Sequence, residues 1–198
     1  MGTPDIDRAI AFTKLMHAFQ RVERVIHVPG EDRWENDVEH SYLLAMLGWY
    51  LVDSLALALD RDAVLRYALV HDLVEIYAGD TYAYTDDEDA RRSKPAREHD
   101  AQQRIKSEFP EFSDLHRTIE RYERRADGES LFVYRLDKLI PVITIYIQEG
   151  RTWKQKNLAF DRVVRNKRER IDDESEIRTL FEQIVSLIDA DRAKYFNK

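Results

Sequence analysis

The stretch RYALVHDLVEIYAGD, residues 66–80, starts as an apolar helix and then places His71, Asp72, Glu75 and Asp80 within ten positions. A helix that only fills a core has no use for so many ionisable groups. Neighbours on a helix point about 100° apart, so His71 and Asp72 converge only on something held between their directions. His71 and Glu75, four apart, would share one face. Two further segments offer partners. ENDVEHS puts His40 in the first turns of a helix, and YRLDKLIPVI puts Asp137 in the middle of another. Pro141, four residues after Asp137, lacks the N–H that would bond the Asp137 carbonyl, so this helix is expected to bend or loosen there. Two imidazoles and two carboxylates form a mixed donor set suited to one divalent ion such as Mn, Co, Mg, Zn, Ni or Fe. Such an ion acts as a Lewis acid and lowers the pKa of water. The chain has no cysteine, which excludes disulfides and thiolate zinc or redox sites.

Helices must position these groups, and the pattern is helical almost throughout. Thr3 and Pro4 suit an N-cap and first turn, with a helix running to about Arg24. HVPGEDRWEN reads as a loop with a Pro-Gly turn. Asp37 is placed to cap a helix to about Leu59, and Asp62 to cap one through about Tyr77, ended by Gly79. DTYAYTDDEDARRSKP reads as a covering loop, followed by a helix from about Pro95 to Phe109. Further helices are expected at about 113–124, at about 130–149 with Gly150 as stop, and at about 173–195. No repeat or linker interrupts the chain, so the expectation is one all-α domain over residues 1–198.

The totals narrow the function. A length of 198 residues suffices for one sizeable core, and a net charge of −7 argues against broad nucleic-acid or membrane binding. No apolar run approaches the roughly 20 residues that span a bilayer. MGTPDIDRAI lacks the basic and apolar regions of a signal peptide, so a cytoplasmic location is expected. An anionic substrate would need a metal and local basic residues to overcome the overall repulsion.

His40, the His71-Asp72 dipeptide and the later Asp137, each on a helix, resemble the HD superfamily of metal-dependent phosphohydrolases. ENDVEHS, HDLVEIYAGDT and FVYRLDKL are similar to its small-domain branch, which includes bacterial 5′-deoxynucleotidases, and the resemblance runs from about Val22 to Gly150. It implies a compact HD-domain helical bundle with the metal site at about 22–150 and a C-terminal helix at about 173–195. It implies that His40, His71, Asp72 and Asp137 ligate one divalent metal. It also implies that Glu75 and Asp80 sit near the attacking water and the scissile phosphate, one orienting or deprotonating the water and the other serving the leaving oxygen. The branch uses an arginine before the first His to grip phosphate, for which Arg24 is the best match and Arg21 the second. Relatives carry an aromatic residue after that arginine, where this chain offers His27 and later Trp34. Lys94 and Arg97, from the basic stretch RRSKPAREHD, could reach a phosphate from the cover, and Tyr82 and Tyr84 either face the ligand or pack the loop.

The expected activity is that of a 5′-deoxynucleotidase: water attacks phosphorus of a deoxynucleoside 5′-monophosphate, releasing nucleoside and phosphate. The alternatives are release of triphosphate from a dNTP, which needs more basic residues around the same metal, and a nucleotide-binding sensor with little turnover. A two-iron oxygenase needs additional His ligands, and His99 and His116 do not have the spacing. The resemblance also implies a homodimer, for which the amphipathic C-terminal helix is one candidate interface.

Overall fold

The computed structural model describes residues 5–171 and 174–197. Thr3, Pro4 and the expected helix start at Asp173 lie outside them. Helix α1, Ile6–Phe19, starts where the Asp5 carboxylate accepts from the Asp7 N–H at 2.9 Å. It stops short of the expected Arg24. The β-branched Val25 and Ile26 instead form strand β1, Glu23–His27, which pairs antiparallel with β2, Trp34–Asn36, across a turn containing Gly30 at φ +81°. The segment read as a loop thus carries half of a small hairpin.

Helix α2, Asp37–Ser54, follows immediately. Its cap is Asn36, not Asp37: the Asn36 side chain accepts from the N–H of Val38 and Glu39, and Glu39 returns a bond to the Asn36 N–H. Asp37 is fully buried. Helix α3, Arg61–Val70, is capped by Asp60 rather than Asp62. It does not run on to Tyr77. The chain turns at His71–Val74 and re-enters as the short α4, Glu75–Ala78, which Gly79 closes at φ +73°. Leu73 and Val74 of this turn are buried in an apolar cluster with Phe19, Ile105 and Ile119.

Helix α5, Glu88–Glu108, starts well before the expected Pro95, because Asp87 caps it through the Ala90 N–H and acidic residues fill its first turn. Helix α6, Ser113–Arg124, keeps the expected bounds. Helix α7, Gly128–Ile147, is capped by Asp127, with Ser130 as its reciprocal partner, and continues through Pro141. It is the central element, packed against α2, α3, α6 and β1. Gly150 at φ +77° ends this passage, and its Cα approaches the Tyr195 backbone too closely for a side chain. Two short helices not expected from the sequence follow, α8, Arg151–Gln155, and α9, Phe160–Arg168. The expected C-terminal helix is two elements, α10, Glu176–Asp189, and α11, Arg192–Tyr195. Ile177, Phe181, Val185 and Ile188 of α10 are buried in the main core with α2, α3 and α7, so this face closes the fold. The architecture is all-α apart from the one hairpin.

Candidate metal centre and catalytic cavity

Three helices bring four donors together. The capping box fixes the first turn of α2 and with it His40. The C-terminal end of α3 presents His71 and Asp72, and the middle of α7 presents Asp137. One donor atom from each lies within 4.8 Å of the others. His40 Nε2 is 2.9 Å from Asp137 Oδ1, and His71 Nε2 is 2.9 Å from Asp72 Oδ2 and 3.8 Å from Asp137 Oδ1. His40, His71 and Asp137 are buried. His71 Nδ1 donates to the Ala68 carbonyl at 2.8 Å, which turns the buried Nε2 toward the cluster. His40 Nδ1 lies 3.4 Å from Glu35 Oε2, the outer carboxylate arrangement that orients a ligating imidazole. This donor set, three of its members buried and Asp72 half-buried, with its histidines oriented from behind, fits a divalent ion.

The electrostatics divide the acids into two groups. Burial opposes the charge of Asp137, but Lys138, whose Nζ is 2.5 Å away, and the two histidines hold its carboxyl well below the ordinary range. Asp72 is likewise held low against burial by His71 and Arg24. Glu75 and Asp80 move the other way. Burial, with the charge of Asp72, raises both, against the pull of Lys94 on Glu75 and of Arg24 on Asp80. Asp37 is pushed up to about 7 by burial and Asp72, against Arg24. Arg24, on β1 and not on a helix, is packed among these acids: it reaches Asp72 at 2.5 Å, Asp37 at 3.2 Å and Asp137 at 3.7 Å. Burial opposes its charge, and the carboxylates outweigh burial.

Asp72, Glu75, Asp80, Asp137 and Arg24 line one cavity of about 350 Å³. Lys94 lines it too, with its ammonium 2.8 Å from Glu75 Oε1 and 2.8 Å from Glu98. Glu75 Oε2 stays buried and unbonded. Tyr82 and Tyr84 are part of the wall, their hydroxyls buried without a hydrogen-bond partner. Two expected residues are not brought there. Arg97 is turned onto the cover, donating to the Ala78 and Ala90 carbonyls and to Thr81 Oγ1. His27 stacks on Trp34 at 4.1 Å and pairs with Gln155 at 2.8 Å, behind the cavity. Conversely, Glu35, Lys138 and Lys167 adjoin the site without a sequence expectation of it, and Asp37, expected only as a cap, joins them. The adjacency of Lys138 to Asp137 and of Asp37 to the cap was visible in the sequence. Lys167, on α9, had no local signal.

The family model described as HD domain matches residues 16–178. The chain belongs to the HD-domain family. Among curated proteins, the human 5′-deoxynucleotidase HDDC2 is 30% identical over 132 residues, which is 65% of this chain and 62% of that protein. The zebrafish protein of the same name is 26% identical over 147 residues, 73% and 71% of the two chains. The match thus spans less than two thirds of the human relative's length. Among solved structures, a predicted metal-dependent phosphohydrolase from Magnetospirillum magnetotacticum superposes with a TM-score of 0.78 at 25% identity, over 98% of this HD-domain chain and 96% of that one. A conserved hypothetical protein from Pyrococcus furiosus shares the fold, with a TM-score of 0.57 at 21% identity, over 94% and 99% of the chains.

Proposed function

We propose that this HD-domain protein is a metal-dependent phosphohydrolase acting as a 5′-deoxynucleotidase, which cleaves deoxynucleoside 5′-monophosphates to nucleoside and phosphate. The observation that carries the reading is the cluster of buried His40, His71 and Asp137 with half-buried Asp72, two of whose members line a cavity shared with Glu75 and Asp80. The names of the curated relatives support the same substrate class. His40, His71, Asp72 and Asp137 would hold the ion. When bound, it supplies Lewis acidity, offsetting phosphate charge and lowering the pKa of water. Lys94 fixes Glu75 through Oε1 and leaves Oε2 free to accept a proton. Glu75 and Asp80 divide two tasks, taking the proton of the attacking water and serving the leaving O5′. Arg24, anchored on Asp72 and Asp37, turns its remaining N–H groups to phosphate oxygens. The cavity volume is at the small end of ligand pockets, about 300–1,000 Å³, and favours a monophosphate over a triphosphate.

The chain acts as a single HD domain in the cytoplasm and as a homodimer; among the described residues no helix is long and apolar enough to cross a membrane. The dimer surface is on α2, whose outward Tyr42, Leu43, Met46, Trp49 and Tyr50 are exposed at helical spacing, a patch unusual on a monomer. The test of function is to load metal-free protein with Mn, Co or Mg and supply dNMPs, NMPs, dNTPs and NTPs. Nucleoside and orthophosphate from dNMPs are expected. Triphosphate release from dNTPs, or no turnover with metal bound, would sink the reading.

A further inference from the structure

Most cations of the cavity wall are already committed. Arg24 pairs with Asp72 and Asp37, Lys94 with Glu75 and Glu98, and Lys138 with Asp137. A substrate phosphate gains less from a cation whose charge a carboxylate already offsets. Lys167 differs. It lines the same cavity, only 4% of its surface is exposed, and none of the hydrogen bonds or ion pairs among the described residues involves it. Arg170, one turn further on, also lines the cavity and is exposed.

An ammonium buried without a partner is costly, and lysine ordinarily avoids the cost by extending its head into solvent. α9 could have presented this residue outward, as it does Arg165. The carboxylate of Asp137 offsets it only in part, because Oδ1 is taken by His40 and Oδ2 by Lys138. We infer that Lys167 binds a phosphate group of the substrate inside the cavity, with Arg170 as its outer partner, a role that rests on the phosphohydrolase reading of the site. Burial and the charge of Lys138 push the Lys167 ammonium down to about 7, against Asp137, and an incoming phosphate dianion would reverse that shift. The arrangement explains how a chain of net charge −7 and a cavity rich in carboxylates accept an anion.

The experiment uses the full chain loaded with Mn. Inorganic phosphate binding is measured by calorimetry, and kcat and KM are measured on a deoxynucleoside monophosphate and the corresponding diphosphate. The wild type is compared with Lys167→Met and Lys167→Arg, with Lys167→Gln as the neutral variant if the Met form does not fold. Loss of a charge-assisted bond predicts that Lys167→Met weakens phosphate or raises KM about tenfold or more, with kcat changed less, and that Lys167→Arg recovers most of it. Without phosphate, the Tm of Lys167→Met should stay level or rise, since an unpaired buried charge is removed. Weakening for inorganic phosphate and monophosphate alike identifies the scissile group as the ligand, whereas weakening confined to the diphosphate identifies a second phosphate. Unchanged phosphate binding and unchanged KM in the neutral variant overturn the inference, as does a lowered Tm with phosphate affinity intact. Nucleotide turnover with Lys167→Met indistinguishable from wild type removes Lys167 alone. Phosphate binding through Lys167 without nucleotide turnover removes the nucleotidase reading alone.

Discussion

The four-donor cluster beside the cavity and the cations that line the cavity are held in different ways. His40, His71, Asp72 and Asp137 come from α2, the end of α3 and α7, elements that are capped and packed on one core. Their atoms converge to within 4.8 Å. The cations come from a strand, a cover helix, α7 and the short α9, and each sits where a local carboxylate or the cavity itself receives it. The difference follows from distance dependence. Metal ligation tolerates a few tenths of an ångström, so its donors need rigid supports. Charge attraction acts over several ångströms, so its source can lie on many elements.

Breaking the donor cluster should have the largest effect. Asp137→Ala is expected to reduce metal affinity by more than about 100-fold, beyond the range for outer partners, as read by metal content after dialysis. Full metal retention would remove Asp137 from the centre. Glu75→Gln is expected to leave metal bound and lower kcat by about 10²–10⁴. Unchanged turnover would take Glu75 out of the proton transfers. Glu35→Gln tests the support behind His40: metal affinity should fall about 10- to 100-fold while the melting curve moves little.

A residue outside both groups sharpens the contrast. Asp127 caps α7, and its carboxylate accepts from Tyr67 at 2.7 Å and Arg121 at 3.0 Å. Burial opposes its charge, yet the bonds from Tyr67, Ser130 and Arg121 lower its pKa to about 2. Its stabilisation is therefore fully present above the unfolded value of about 4 and is lost as pH falls through the folded value. Asp127→Ala should cost about 1–2 kcal/mol at pH 7, and the gap to wild type should close between about pH 4 and pH 2, followed by denaturant melts. The smallest effect belongs to the cover. Arg97→Ala removes bonds to the 78–90 segment, so Tm should drop by an amount equivalent to about 1 kcal/mol, with KM nearly unchanged. A large rise in KM would return Arg97 to the phosphate.

Much of this was legible in the residues. His40, His71, Asp72 and Asp137 were legible as possible donors, and the structure brings one donor atom of each within 4.8 Å of the others, while Gly79 supplies the positive φ that ends the 66–80 segment. Helix ends were less legible, because Asn36 and Asp37, or Asp60 and Asp62, are equally good caps until packing selects one. The same ambiguity hid the start of α5 behind Pro95.

By itself the sequence determined the helical class, the absence of thiol chemistry and which residue types could share an ion, since these depend on composition and local spacing. Only the tertiary structure decided the rest. Whether α3 breaks at His71, whether Arg24 rides a strand into the acids, and whether Lys167 turns inward depend on contacts between residues remote in the chain. Those contacts trade buried area against charge, and no local window contains both sides of that balance.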